Sequence, residues 1–298
     1  MAQNNNNGKS LNEKINDVMN AKTADRTKKR SLIKLGLRGH EIDFIFAEFA
    51  KAQIGDFDFS KLTFGIEIEC YNCVRTDLIY EAHLNGLEIH SEAYNHADNS
   101  RYYKIVSDGS LTGNDTNEVV SPILNGENGL QSLRTLCNAL AAVNARVNKS
   151  CGLHVHIGAA NISDEHYCRI FRNYQAIETA IDTFMALSRR SDNAYYCKSL
   201  RRFDFSGCTT KGDIARALGY RRYFKVNAEA YNRHHTVEFR QHQGTTDYEK
   251  ISHWVKFLAA LVQYSFKHDC PTCTRIEDIP FISDEEKAFF TARRAALN

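Results

Sequence analysis

Three short apolar segments each carry two ionisable side chains at i and i+2: Glu67 and Glu69 in TFGIEIEC, His154 and His156 in CGLHVHIG, and Glu238 and Arg240 in TVEFRQH. On a β-strand that spacing sends both members to one face and the alternating Ile66, Ile68, Val155, Val237 and Phe239 to the other. If the three strands share a sheet, one of its faces gathers carboxylates, imidazoles and a guanidinium. Such a patch is costly without bound cations. It points to divalent metal and a highly anionic ligand, and nucleotide phosphates fit that description best.

At 298 residues and 43% hydrophobic content, the chain can bury one large core or two modest ones. A net charge of +2 decides little, but nine Lys or Arg crowd into residues 9–38 against Glu13, Asp17 and Asp25. That run could touch nucleic acid. It has no aromatic interleaving and no groove-binding motif, so a solvated, partly helical extension is the expectation. No apolar stretch approaches the length of a membrane span, and MAQNNNNGKS lacks the apolar core of a signal peptide, so a cytoplasmic location is expected. Nine cysteines, an odd number, read as reduced thiols. The pairs Cys70/Cys73 and Cys270/Cys273 could together bind zinc, but they lack zinc-ribbon spacing and free packed thiols are expected.

Residues 1–55 read as a basic polar extension ending in a helix, with Ile42, Ile45, Phe46 and Phe49 spaced as an apolar face that docks on the main domain, residues 56–298. There the pattern predicts strands near 62–71, 102–107 and 118–121, with a polar stretch through 99 and a Gly- and Asp-rich loop at 108–116. A helix over 130–147 precedes the H-x-H strand, and another over 164–187 follows it, with Ser163 as N-cap. An irregular arginine-rich stretch, 189–233, leads to the EFR strand and to helices near 248–266 and 284–296. Strands separated by long helical insertions argue for an α+β fold with a largely antiparallel sheet.

Glu67 and Glu69 would each raise the other's pKa unless a cation lies between them, and hard carboxylate oxygens suit magnesium or manganese. The two histidines suit metal or phosphate contact; zinc in a hydrolase is the rival, but the chain has no H-E-x-x-H helix. Gly152 and Gly158 flank them and permit close approach. Glu238 can bind metal while Arg240 forks onto phosphate, the plain alternative being an intrastrand salt bridge. Glu118 in NEVVSP and Asp108 in the turn-like SDGS are weak signals taken singly.

In order and spacing, F-G-I-E-I-E, S-D-G-S-L, E-V-V-S-P, C-G-L-H-V-H-I-G, R-Y-F-K-V-N and T-V-E-F-R-Q-H-Q-G-T resemble the amidoligase family of the glutamine synthetase and glutamate–cysteine ligase superfamily. The resemblance covers roughly residues 62–247 and implies a curved antiparallel sheet forming a funnel with flanking helices, ATP, and two or three magnesium (or manganese) ions. Carried over by motif, Glu67, Glu69, Glu118, His154 and Glu238 are implied metal ligands. Arg222 and Arg240 are implied phosphate contacts, with His156 and Asn227 near the nucleotide. The implied chemistry is ATP-dependent amide formation between a carboxylate and an amine, on an amino acid, a peptide or a protein side chain, through an acyl phosphate. Asp108 is the candidate for assisting loss of the amine proton. Substrate identity does not carry over, because the chain is short and residues 189–216 are unmatched. Two other readings stand beside this one: a phosphotransferase of guanidino-kinase type on the same sheet, and a non-enzymatic, basic nucleic-acid-associated protein.

Overall fold

The computed structural model describes residues 9–21, 23, 25–45, 58–93 and 101–297. The chain divides into two compact units, residues 1–56 and 57–298. The first is helical from Leu11 rather than a polar tail. Helix α1 (Leu11–Asn20) opens on a capping box in which Ser10 Oγ accepts from Glu13 N and the Glu13 carboxylate accepts from Ser10 N. With α2 (Asp25–Lys34) and a helical stretch over 39–45, it buries Met19, Leu32 and Ile42, against which Ile15, Val18, Leu35, Leu37 and Ile45 pack. A sparse apolar stripe among many charges hid this small core. Of the expected docking face, Ile42 and Ile45 join that cluster, while Phe46 and Phe49 lie outside the described residues.

The second unit is α+β. Its strands are β1 (Thr63–Cys70), β2 (Ile89–Ser91), β3 (Tyr103–Val106), β4 (Asn117–Val120), β5 (Leu124–Asn125), β6 (Gly152–Gly158), β7 (Val226–Asn227) and β8 (Thr236–Gln243). They form one open sheet in the order β2-β3-β4-β1-β6-β8-β7, with β5 also pairing β1. Neighbours are antiparallel except β2 and β3.

Ile66, Ile68, Val119, Leu153, Val155, Ile157, Val237 and Phe239 are buried in this sheet. Each such side chain contributes roughly 1.5–3 kcal/mol when taken from water. Helices α4 (Gly126–Ala142), α5 (Asp164–Asp182) and α8 (Tyr248–Tyr264) carry the complementary apolar stripes, such as Leu130, Leu133, Leu136 and Leu140 on α4. The Tyr174 ring of α5 packs 5.7 Å from Phe239, and its hydroxyl donates to Gln241. Ser163 caps α5, its Oγ accepting from His166 N at 3.2 Å.

Elsewhere the expected elements change. The polar stretch after β1 contains helix α3 (Arg75–Leu84), missed because only Leu78 and Ala82 bury, while residues 94–100 lie outside the described set. The irregular 189–233 stretch contains α6 (Lys211–Ala217), opened by a Thr210/Asp213 capping box, and α7 (Ala230–His234) as well as β7. Helix α4 stops at Ala142 because Asn144 turns into the left-handed region and Arg146 pairs with Tyr71. The C-terminal helix, α9, spans Asp284–Leu297. No helix among the described residues is long and apolar enough to cross a membrane.

Candidate functional site

Strand register assembles what the i, i+2 spacing only suggests. Pairing of β1 with β4 sets Glu69 opposite Glu118, and pairing of β1 with β6 sets Glu67 opposite His154 and Gly65 opposite His156. On β8, Glu238 faces both His156 and Asn227 of β7. Directly opposed residues share a face with Cβ atoms roughly 5 Å apart, so all these groups meet on the side away from the core. The register shifts between Leu153 and Val155, leaving an extra residue on β8 beside His154, a bulge that bends the strand where Arg240 sits.

Glu67 is the hub. Its Oε2 lies 2.8 Å from His154 Nδ1 and its Oε1 3.3 Å from His156 Nε2. The other nitrogen of His154, Nε2, is 3.7 Å from Glu69 Oε1, while its Nδ1 is also 3.7 Å from Glu238 Oε1. Glu69 accepts from the Gly152 amide, and Glu238 accepts from Asn227 Nδ2 and from Arg240 Nη1. The intrastrand Glu238–Arg240 pair therefore forms, inside the cluster rather than on an open surface. His156 Nδ1 is held by Thr236 Oγ1 at 2.8 Å. Its Nε2, though near Glu67, lacks hydrogen-bond geometry and is a buried nitrogen without a hydrogen-bond partner.

These surroundings split the carboxylates. Burial would raise the pKa of Glu67, but the hydrogen bond with His154 and the close approach of the His156 imidazole outweigh it and hold the group well below the usual range. Burial also opposes ionisation of Glu238, and the Arg240 charge wins, so its pKa falls. Glu118 has no such partner: burial, then repulsion from Glu67, Glu69 and Asp108, push it well above the usual range. His156 is raised by the Glu67 carboxylate against the opposing effect of burial.

Three sets of ligand atoms lie mutually within 4.8 Å: Glu67, His156 and Glu238; Glu67, Glu118 and His154; and Glu69, Asp108 and Glu118. Loop residue Asp108 thus joins the site through two strand glutamates. Carboxylate oxygens with at most one imidazole per set suit magnesium or manganese, and the unsatisfied His156 nitrogen and the buried Glu118 carboxyl group, repelled by its neighbours, each fit a cation in its own set. All nine cysteines are free, and no such set among the described residues contains one.

A cavity of about 580 Å³ opens over one end of this face, a volume in the range of small-molecule sites. Glu67, Glu118, His156, Asn227, Glu238 and Arg240 line it, together with Arg222. Glu69, His154 and Asp108 lie outside its lining. Sequence reasoning missed two cations there. Lys104 is 4% exposed on β3, where KIV in YYKIVSD repeats the alternation seen elsewhere; Arg233 on α7 had no signal at all. His234 also lines the cavity, its ring edge-on to His156 at 5.8 Å.

No curated protein matches the chain. Residues 60–262 match the family described as "Putative amidoligase enzyme", a stretch that holds every strand and every group named above. With about two thirds of its length matched, the chain belongs to that family.

Proposed function

We propose that the protein is an ATP- and magnesium-dependent carboxylate–amine ligase that forms an amide bond through an acyl phosphate. The observation that carries this reading is the joining of three candidate ligand sets, two of carboxylates with a histidine and one of carboxylates alone, to a cavity lined by both carboxylates and cations on one sheet face. Four cations, Lys104, Arg222, Arg233 and Arg240, line the cavity beside Glu67, Glu118, Glu229 and Glu238, and with metal ions on the carboxylates they would suit a triphosphate. Metal ions held by Glu67, Glu69, Glu118, His154 and Glu238, with Asp108 and His156 completing the sets, would neutralise the charge on the transferred phosphoryl group.

The rest falls to the chain's own residues. Arg240, tied to Glu238 and lining the cavity, stabilises the charge that builds on the γ-phosphate. A substrate carboxylate oxygen attacks the γ-phosphorus, the bond to the β,γ-bridging oxygen breaks and ADP leaves. The amine nitrogen then attacks the acyl carbon and inorganic phosphate departs. The proton lost by nitrogen passes to a nearby base, for which Asp108, close to Glu69 and Glu118, is the candidate. Asn227 orients Glu238 through its amide.

Incubation of the full chain with ATP, magnesium and a cell extract, followed by mass spectrometry, tests this directly. A condensation product whose formation needs both a carboxylate and an amine supports the ligase. A stable phosphorylated product without an amide favours the phosphotransferase. ATP affinity that survives EDTA undiminished would sink the metal assignment.

A further inference from the structure

Among the described residues four carboxylates line the cavity, and one of them has no part in the metal sets. Glu67, Glu118 and Glu238 each belong to at least one set; Glu229 belongs to none. It is half-buried at the N-cap of α7, where its side chain makes no cap bond. Asn232 Nδ2 donates to Glu229 Oε2 at 3.5 Å, the outer limit of a hydrogen bond, and Oε1 is buried without a hydrogen-bond partner among the described residues. Arg233 lies four residues on, a spacing at which a helix joins glutamate to arginine, yet no cation among the described residues forms an ion pair with Glu229. A carboxylate so placed has given up water at one oxygen and gained nothing for it.

The cavity gives this carboxylate room for a partner, and the backbone fixes where it stands. Glu229 N donates to Asn227 Oδ1 at 2.9 Å, while Asn227 Nδ2 donates to Glu238. One asparagine thus spaces Glu229 from the set of Glu67, His156 and Glu238. A phosphate is repelled by a bare carboxylate, and a cation is drawn to it. A nitrogen that pairs with a carboxylate keeps its proton, whereas a nitrogen that attacks an acyl carbon needs a free lone pair. The group held at Glu229 is therefore not the one that reacts.

We propose that Glu229 is the receptor for a protonated, non-reacting ammonium group of the substrate. Its source is either the carboxylate reactant, which is then an amino acid, or the amine reactant, which is then a diamine. This deepens the ligase reading and rests on it for the roles of the two reactants, but not for its test. The residue lies between the motifs that carry the family resemblance, two positions beyond R-Y-F-K-V-N.

Calorimetric titration of the full chain, in saturating magnesium and at constant pH and ionic strength, would compare L-alanine with propionate and L-glutamate with glutarate in one arm, and diaminobutane with butylamine in the other. In at least one arm the member with the additional ammonium group should bind about tenfold or more tightly than its counterpart, and Glu229→Gln should erase that preference. The arm in which the preference appears identifies the source. Magnesium-dependent ATP binding should not weaken in this variant, since the change removes a like charge from the cavity. Glu229→Asp, which keeps the charge but withdraws it by one methylene, should show a reduced preference; if the glutamine variant does not fold, an undiminished preference in Glu229→Asp overturns the proposal. Pairs that bind alike to the wild type in both arms, or a preference retained in Glu229→Gln, would also overturn it. The two readings fail separately: a wild type that binds ATP but shows no ammonium preference sinks the Glu229 site alone, and one that shows the preference through Glu229 but binds no ATP sinks the ligase.

Discussion

On one side of the central sheet Ile66, Ile68, Val155, Val237 and Phe239 are each at most 1% exposed and are covered by helices; on the other, Glu67, Glu118, Glu238, His154, His156 and Arg240 crowd together within hydrogen-bonding or ligand range. Residues one position apart in the chain thus do opposite work. The apolar face lowers the free energy of the fold by removing surface from water, while the charged face raises it and is tolerated for what it binds. The charged face is not uniform either. Glu67 and Glu238 have protein partners, whereas Glu118 has only like charges and burial.

The largest effect should come from Glu67→Gln, which removes the carboxylate shared by two of the three ligand sets. ATP-dependent product formation should fall by about 1,000-fold or more, equivalent to about 4 kcal/mol of barrier. Steady-state assays with magnesium check it, and near-normal turnover would mean that this face is structural. On the opposite side, Phe239→Ala should cost about 3–5 kcal/mol of stability, read by denaturant unfolding of the metal-free protein. A loss under 1 kcal/mol, on the order of a surface change, would erase the contrast between the faces.

Glu238→Gln sharpens the division within the charged face. It leaves the largely buried Arg240 without its carboxylate partner, so the metal-free protein should lose about 3 kcal/mol. The smallest effect has the opposite sign. Glu118→Gln removes a carboxyl group whose ionisation burial and the neighbouring Glu67, Glu69 and Asp108 oppose, while an amide can still donate to Glu67, and it should slightly raise the stability of the metal-free protein. Equal shifts in the two variants would show that the partners seen around Glu238 carry no energy.

A separate comparison concerns the two units. Every implied ATP or metal group lies at Glu67 or beyond, so a chain lacking residues 1–56 is expected to keep turnover on small substrates. The cut belongs there rather than at residue 38, because Ile42 shares a core with Met19 and Leu32. A truncated protein with an unchanged melting temperature and no ATP turnover would give the first unit a part in the site.

Much of the charged face was legible because a strand's side-chain period is a property of the chain itself. Two residues at i and i+2 share a face wherever the strand lies, so the dyads at 67/69, 154/156 and 238/240 could be read without knowing their neighbours. Lys104 follows the same alternation but is a single charge on a strand of four residues, too little pattern to stand out. Arg233 and Glu229 carry no periodic signal, since a five-residue helix and its N-cap place them. Helix α3 escaped for a similar reason, its buried face amounting to two residues.

The sequence by itself determined which side chains could share a face, that the strands would be half apolar and half charged, and the family through six ordered motifs. Only the tertiary structure decided that Glu69 meets Glu118, that His156 meets Glu238, that Asp108 reaches Glu69 and Glu118 from a loop and that Glu229 lines the cavity. The physical reason is range. Face and periodicity follow from local backbone geometry, whereas register and loop position result from many weak contacts between residues distant in the chain, and no single segment contains that sum.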